Sequence, residues 1–299
     1  MLMSYKLYLS LPKYANHIEY LRTNKNNILI KKDIKNFSNR DIRDTVLIAI
    51  DRPCNSDLLL PFKKRILYRL EYNVARTNQY KYDIYFYAFL FDLIFEWDSN
   101  YYINSKSFLP FFPPRVGILH ESNQVTESLN IDYFLKNNFL VKKKYLLSTI
   151  VSNKSNLVWH KLRLKLIFQL KSALPEIDLF GRGFKPIKDK SIGLINYKYH
   201  IASENSNSGP SEKLWDPLLC QCIVFYVGSL DLVHPYLRKA IIPLDLNNIN
   251  LSLKIIKKEI ISFETFNSIS NQEWIKIKDI IIKNYSFENT IFNHQKYYF

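Results

Sequence analysis

Apolar residues fall in short unbroken blocks through the first third of the chain: TVLIAID ending at Asp51, KKRILYRLE from Lys63 to Glu71, and YDIYFYAFLFDLIFEWD ending at Asp98. Predominantly apolar runs of this kind predict strands buried on both faces, as in a parallel sheet. Arg52-Pro53 closes the first of them. A shorter strand is expected around Ile28 to Ile30, and the polar, Lys/Asn-rich residues before Asn39 predict little else.

Strand and helix patterns then alternate. KKKYLLSTIVSNKSN predicts a strand, and WHKLRLKLIFQLKSAL places Leu162, Leu166, Ile167 and Leu170 on one side of a helix. Its basic residues are expected to form a solvated face, not a nucleic-acid patch. IDLFGRGF predicts a strand ending at Gly181-Arg182-Gly183, where the backbone can approach a ligand closely and Arg182 can reach a phosphate. From Tyr197 the order is strand, polar turn, amphipathic run, and the buried strand IVFYVG ending at Gly228. A turn of this kind presents free N–H groups at a helix start. LKIIKKEII and EWIKIKDIIIKNY predict packing helices, although a basic amphipathic pattern also suits peripheral contact with a membrane surface. The fold class is therefore α/β, in two domains at residues 1–142 and 143–299.

The start of the helix near Glu212 has two solutions. With Ser211 as N-cap, Pro217 falls inside the helix and forfeits a bond to the Lys213 carbonyl, at about 3 kcal/mol. With Asp216 as N-cap, Pro217 takes the first helical position, where proline is favoured.

The 299 residues carry 42 Lys and Arg against 27 Asp and Glu, a net charge of +15, which favours anionic ligands of some kind without selecting one. Three cysteines, Cys54, Cys220 and Cys222, fit neither a disulfide framework nor a four-ligand zinc site, and buried reduced thiols are expected. The six histidines are scattered, and no metal site is predicted. The first residues lack the apolar core of a signal peptide, and no stretch reaches about 18 consecutive apolar residues. A cytoplasmic enzyme without a transmembrane segment is the expectation.

Tyr197-Lys198-Tyr199, Glu204-Asn205-Ser206, Ser211-Glu212-Lys213 and Phe225-Tyr226-Val227-Gly228 occur in an order and spacing that resemble the signature of the α1,3/4-fucosyltransferases, glycosyltransferase family ten. Gly209 stands where that family has a tyrosine, and Ser203 where it has phenylalanine. ILYRLEYNVAR, FDLIFEWDSNYY and FLPFFPP resemble its acceptor-side half, with Glu71 at the catalytic-glutamate position and Glu121, in HESNQ, as the competing candidate.

The resemblance implies a GT-B architecture, two Rossmann-like domains facing a cleft, and inverting transfer of L-fucose from GDP-β-L-fucose to a glycan hydroxyl. It implies Arg182 and Lys213 against the diphosphate and Glu212 on the ribose hydroxyls. Ser152, Asn153, Glu204 and Asn205 would stand near the donor, and Glu71 would be the base. With no Asp-x-Asp motif present, cationic side chains would stabilise the leaving group. No cofactor is then required, and metal stimulation remains compatible. The alternatives are another nucleotide sugar in the same fold, or a basic binding protein that has lost catalysis.

Overall fold

The computed structural model describes residues 6–10, 29–31, 42–50, 55–69, 89–96, 105–107, 116–119, 125–129, 134, 143–205, 209–286, 289–290 and 293–297. The chain divides into two compact units, Met1–Phe111 with Phe287–Phe299, and Phe112–Ser286. The second unit thus begins before residue 143, and the last residues group with the first unit. Residue 143 lies just ahead of the second unit's parallel sheet, which starts at Tyr145.

The first unit contains β1 (Lys6–Ser10), β2 (Leu29–Lys31), β3 (Thr45–Ile50), a single-turn helix α1 (Asn55–Leu58), β4 (Lys64–Tyr68), β5 (Leu93–Glu96) and β6 (Ser105–Ser107). The strands pair in the order β2-β1-β3-β4-β5-β6, all parallel. Every residue of β3 is buried, as its unbroken TVLIAI pattern requires. Leu47, Ala49, Leu67, Phe91 and Ile94 form the core with Tyr8. At the carboxyl ends of β4 and β5, Tyr68 stacks on Phe95 at 4.7 Å and Phe95 on His294 at 4.4 Å. The Tyr68 hydroxyl and His294 Nδ1 are hydrogen-bonded at 2.9 Å, which ties the returning segment to the sheet. Strand β1, which the sequence pattern did not predict, pairs between β2 and β3.

The second unit opens with an antiparallel hairpin, β7 (Val116–Leu119) and β8 (Val125–Leu129). Its sheet follows as β9 (Tyr145–Ile150), β10 (Asp178–Phe180), β11 (Tyr197–Ser203), β12 (Ile223–Val227) and β13 (Ile241–Pro243). The spatial order is β10-β9-β11-β12-β13, parallel throughout. Helix α2 (Val158–Ala173) connects β9 to β10, and α3 (Glu212–Leu219) connects β11 to β12. After β13 come α4 (Ile249–Ser262), α5 (Glu264–Ser268) and α6 (Asn271–Tyr285). Trp215 of α3 stacks on Tyr285 of α6 at 4.1 Å, so α6 packs as the apolar periodicity predicted. Among the described residues no helix is long and apolar enough to cross a membrane. Cys220 and Cys222 are free and buried.

One buried carboxylate organises the α4–α5 corner. Glu259, 7% exposed, accepts hydrogen bonds from the Tyr199 hydroxyl at 3.0 Å, from Thr265 N and Oγ1 at 2.9 Å each, and from Phe266 N at 3.3 Å. Phe263 takes the left-handed conformation, φ 53°, that lets the chain turn back toward it. Removing the acceptor strands several donors at once, each at about 1–3 kcal/mol and not additively. Glu259→Ala is therefore expected to destabilise the protein by about 3 kcal/mol, read as a lowered urea midpoint by tryptophan fluorescence; an unchanged midpoint would show that water replaces the carboxylate without loss.

Candidate functional site

Numbered along the chain, the five strands of the second unit's parallel sheet have the order 2-1-3-4-5. The connections from β9 and toward β11 therefore leave to opposite sides, and a crevice opens at the carboxyl ends of these two strands, the switch point where doubly wound sheets bind ligands. A cavity of about 210 Å³ lies there. Its apolar walls come from Ile150 and Val151, from Leu166 and Ile167 of α2, and from Ile201 of β11. Ser152, Lys154, His160, Arg163, Asn205 and Lys213 supply its polar lining.

Arg163 is the most unusual of these. On α2 it occupies the same buried stripe as Leu166, Ile167 and Leu170, and it is only 5% exposed. Its Nη1 donates to Asn205 Oδ1 at 3.3 Å and its Nη2 to the Ser152 carbonyl at 3.0 Å. Its buried Nε has no partner. Burial pulls the guanidinium pKa below its ordinary value, yet arginine keeps its charge at neutral pH. One turn earlier His160, 7% exposed, is hydrogen-bonded to Asn205 and has an unpartnered Nδ1. Burial and then the charge of Arg163 hold its pKa below the usual 6.5 despite that hydrogen bond, with Lys213 and Lys154 adding to the effect, so the ring is mainly neutral at pH 7.

The turn after β11 is tied by Glu204, 2% exposed. Its carboxylate accepts from Ser211 N at 2.9 Å, from Ser211 Oγ at 2.7 Å, from Tyr226 OH at 3.1 Å and from Lys213 Nζ at 3.3 Å. The Ser211 side chain in turn accepts from Lys213 N, which makes Ser211 the N-cap and leaves Pro217 inside α3. Asp216 does not cap; it is buried and paired with Lys190 at 2.7 Å. Gly228 is confined by the same cluster, because a Cβ there would stand 2.5 Å from the Tyr226 hydroxyl.

The expected donor residues thus divide. Ser152, Asn205 and Lys213 line the cavity, whereas Glu204 serves it indirectly by positioning Lys213 and the cap. Glu212 faces a neighbouring cavity of about 110 Å³, 3.8 Å from Lys190. Arg182 is exposed and lines neither cavity. Gly181 and Gly183 do have positive φ, 113° and 87°, but the close approach they permit is to the chain itself. A Cβ on Gly181 would lie 2.2 Å from the Val151 carbonyl oxygen, and one on Gly183 2.3 Å from the Asn153 side chain. Asn153 N donates to the Arg182 carbonyl at 2.9 Å, so these loops are packed together by their backbones. Glu71 and Glu121 lie outside the described residues.

Lys154, His160 and Arg163 were missed as site residues. The signal was present: Arg163 continues the apolar spacing backward by three residues from Leu166, and a cation within an apolar stripe is a cation going inside. Lys161, Lys165 and Lys171, by contrast, are exposed. Among the described residues no three of His, Cys, Asp and Glu converge to hold a metal ion.

No protein-family model and no curated protein matches the chain. Solved structures do. An α-glucosyltransferase in complex with UDP and a 13-mer DNA superposes with a TM-score of 0.55 at 9% identity, over 98% of this chain and 99% of that one. TarM superposes with a TM-score of 0.54 at 12% identity over 89% of this chain, and a variant of the S. aureus protein in complex with fondaparinux, alpha-GlcNAc-glycerol and UDP gives 0.52 at 12% over the same share. The chain spans 56% of the TarM length. The architecture is GT-B. Each unit supplies one parallel Rossmann-like sheet, and the cavity belongs to the carboxyl-terminal sheet.

Glu204→Gln keeps the shape of the cluster but leaves Lys213 without a counter-charge and turns an amide N–H₂ toward groups that donate. Because Lys213 is 26% exposed, water screens part of the loss, and about 2 kcal/mol of destabilisation is expected. A thermal midpoint equal to that of the wild type would mean that α3 does not depend on this carboxylate.

Proposed function

We propose that this chain is a glycosyltransferase that takes a sugar from a nucleoside-diphosphate donor and passes it to an acceptor hydroxyl. The diphosphate would sit in the cavity at the ends of β9 and β11. The observation that carries this reading is Arg163, a buried cation with an unused N–H at the wall of a switch-point cavity. Breakage of the bond between the sugar and the diphosphate leaves negative charge on the phosphate oxygen. Arg163, Lys154 and Lys213 are placed to oppose that charge without a metal, and in a partly desolvated site their effect is larger than in water.

The finer reading is fucosyl transfer from GDP-β-L-fucose to a glycan, with inversion at the sugar carbon and Glu71 accepting the proton of the attacking hydroxyl. It is supported by the family-ten signature, whose Asn205 and Lys213 line the cavity and whose Glu204 ties Lys213 in place. A second reading, a UDP-sugar donor, is supported by the presence of UDP in two of the similar structures. The buried free thiols Cys220 and Cys222 suit the reducing cytoplasm proposed for the protein.

A thermal-shift screen of GDP-fucose, GDP-mannose, UDP-glucose and UDP-GlcNAc separates the two donors, since a ligand at 100 times its Kd stabilises by about 2.7 kcal/mol. Stabilisation by GDP-fucose alone is the expected result. In the same assay Arg163→Ala should weaken binding of the selected nucleotide by about 10- to 100-fold, the loss of one charge-assisted contact, and Arg182→Ala by less because its side chain is exposed. Equal affinities in wild type and Arg163→Ala would remove the cavity from the donor site.

Glu71→Gln is expected to lower kcat by at least about 100-fold with nucleotide affinity unchanged, while Glu121→Gln has a much smaller effect. Normal turnover by Glu71→Gln would end its assignment as base, and a dead Glu121→Gln would transfer that role to Glu121.

A further inference from the structure

The roles given to the three cations leave His160 unexplained. It lines the cavity from the first turn of α2, is 7% exposed, and has a buried ring nitrogen, Nδ1, with no partner. Asn205 is its hydrogen-bonding neighbour, and because Nδ1 is unpartnered the bond falls to Nε2. We take the neutral ring to carry its proton there, with Asn205 Oδ1, which also accepts from Arg163, as the acceptor. In the neutral ring Nδ1 is then a buried, unpartnered lone pair in the wall of the cavity proposed to hold the diphosphate. A fully ionised diphosphate has no proton to give, so lone pair would meet lone pair.

The charged groups around the ring come from three elements. Arg163 lies on the same helix, Lys154 in the segment after β9, and Lys213 at the start of α3, where Glu204 is paired with it. Their positive charge opposes protonation of the ring. An incoming diphosphate reverses the sign of the local field and offers Nδ1–H an acceptor.

Building on the diphosphate reading of this cavity, we propose that His160 is a proton-coupled ligand of the donor: Nδ1 takes one proton from solvent as the diphosphate enters and donates it in a hydrogen bond to a phosphate oxygen. No bond in the sugar or nucleotide is made or broken in this step, and the proton returns to solvent when the nucleoside diphosphate leaves. The sign follows from linkage. The free ring is neutral above its lowered pKa and the bound ring is protonated below its raised one. Between the two, affinity falls by about tenfold for each unit rise in pH.

Calorimetric titration of the full chain with GDP and with UDP at pH 7.5, in two buffers of different ionisation enthalpy, counts the protons taken up. Wild type should take up close to one proton more per nucleotide than His160→Gln, whose side chain cannot be protonated, and the wild-type Kd should rise about tenfold from pH 7 to pH 8. Equal proton counts in the two proteins would overturn the proposal while leaving the cavity as the donor site. Weaker binding by His160→Gln with no extra uptake by wild type would also overturn it, because His160 would then be accepting a hydrogen bond from a ligand hydroxyl. If neither nucleotide binds wild type, the cavity reading fails and this proposal falls with it. Should His160→Gln lose its cooperative unfolding transition, carbon-13 spectra of the wild-type histidine rings decide instead. A ring that converts to imidazolium on nucleotide addition at pH 7 is expected, and six rings that all keep their charge state would overturn the proposal.

Discussion

A buried carboxylate must have its charge met, and in the second unit the way Glu204 meets that need builds the site. Strand β11 delivers it into the interior, where it can be satisfied only if the chain folds back within reach. Ser211, Lys213 and Tyr226 are the groups that do so, from the turn, the start of α3 and strand β12. One side chain thus ties the helix cap to two strands, and Lys213 is held at the cavity rather than left to sample solvent. Pro217 fits this order of priorities. The cap at Ser211 wins although it leaves a proline inside an eight-residue helix, because Asp216 is engaged by Lys190 and is not available as a cap.

Arg163 presents the opposite balance. Its two hydrogen bonds satisfy part of the guanidinium, and its Nε is left without one in a protein interior where nearly all buried polar groups are paired. Desolvating a cation without a counter-ion is costly, and on the diphosphate reading an entering anion would offset that cost. On that reading stability and binding are opposed at this position.

The strands were legible where burial on both faces removes polar positions, as in TVLIAI and IVFYV, and the alternating halves were enough to give the α/β class. Strand β1 and the hairpin β7–β8 were not, because each is short and draws its pairing from partners distant in sequence or from a single turn. The turn residues Glu204, Asn205 and Lys213 were singled out through their order, and the structure gathers them at one turn beside the cavity. Arg163 was hidden by its neighbours: between Lys161 and Lys165, both exposed, it belongs by composition to a solvated face and by helical phase to the interior. The Gly-Arg-Gly segment was legible as a close approach but not in what it approaches. Glycines that permit close approach do not say what approaches, and here it is the segment Val151 to Asn153 of the same chain.

The first unit holds residues from both ends of the sequence described, with His294 stacked against Phe95 and bonded to Tyr68. On the ribosome, His294 is made only after the whole of the second unit. The amino-terminal sheet, although synthesised first, must wait with the carboxyl ends of β4 and β5 uncovered while the other unit folds. The order of synthesis and the order of completion are inverted, so the interval in which apolar strand ends stay open is set by the time needed to translate a domain.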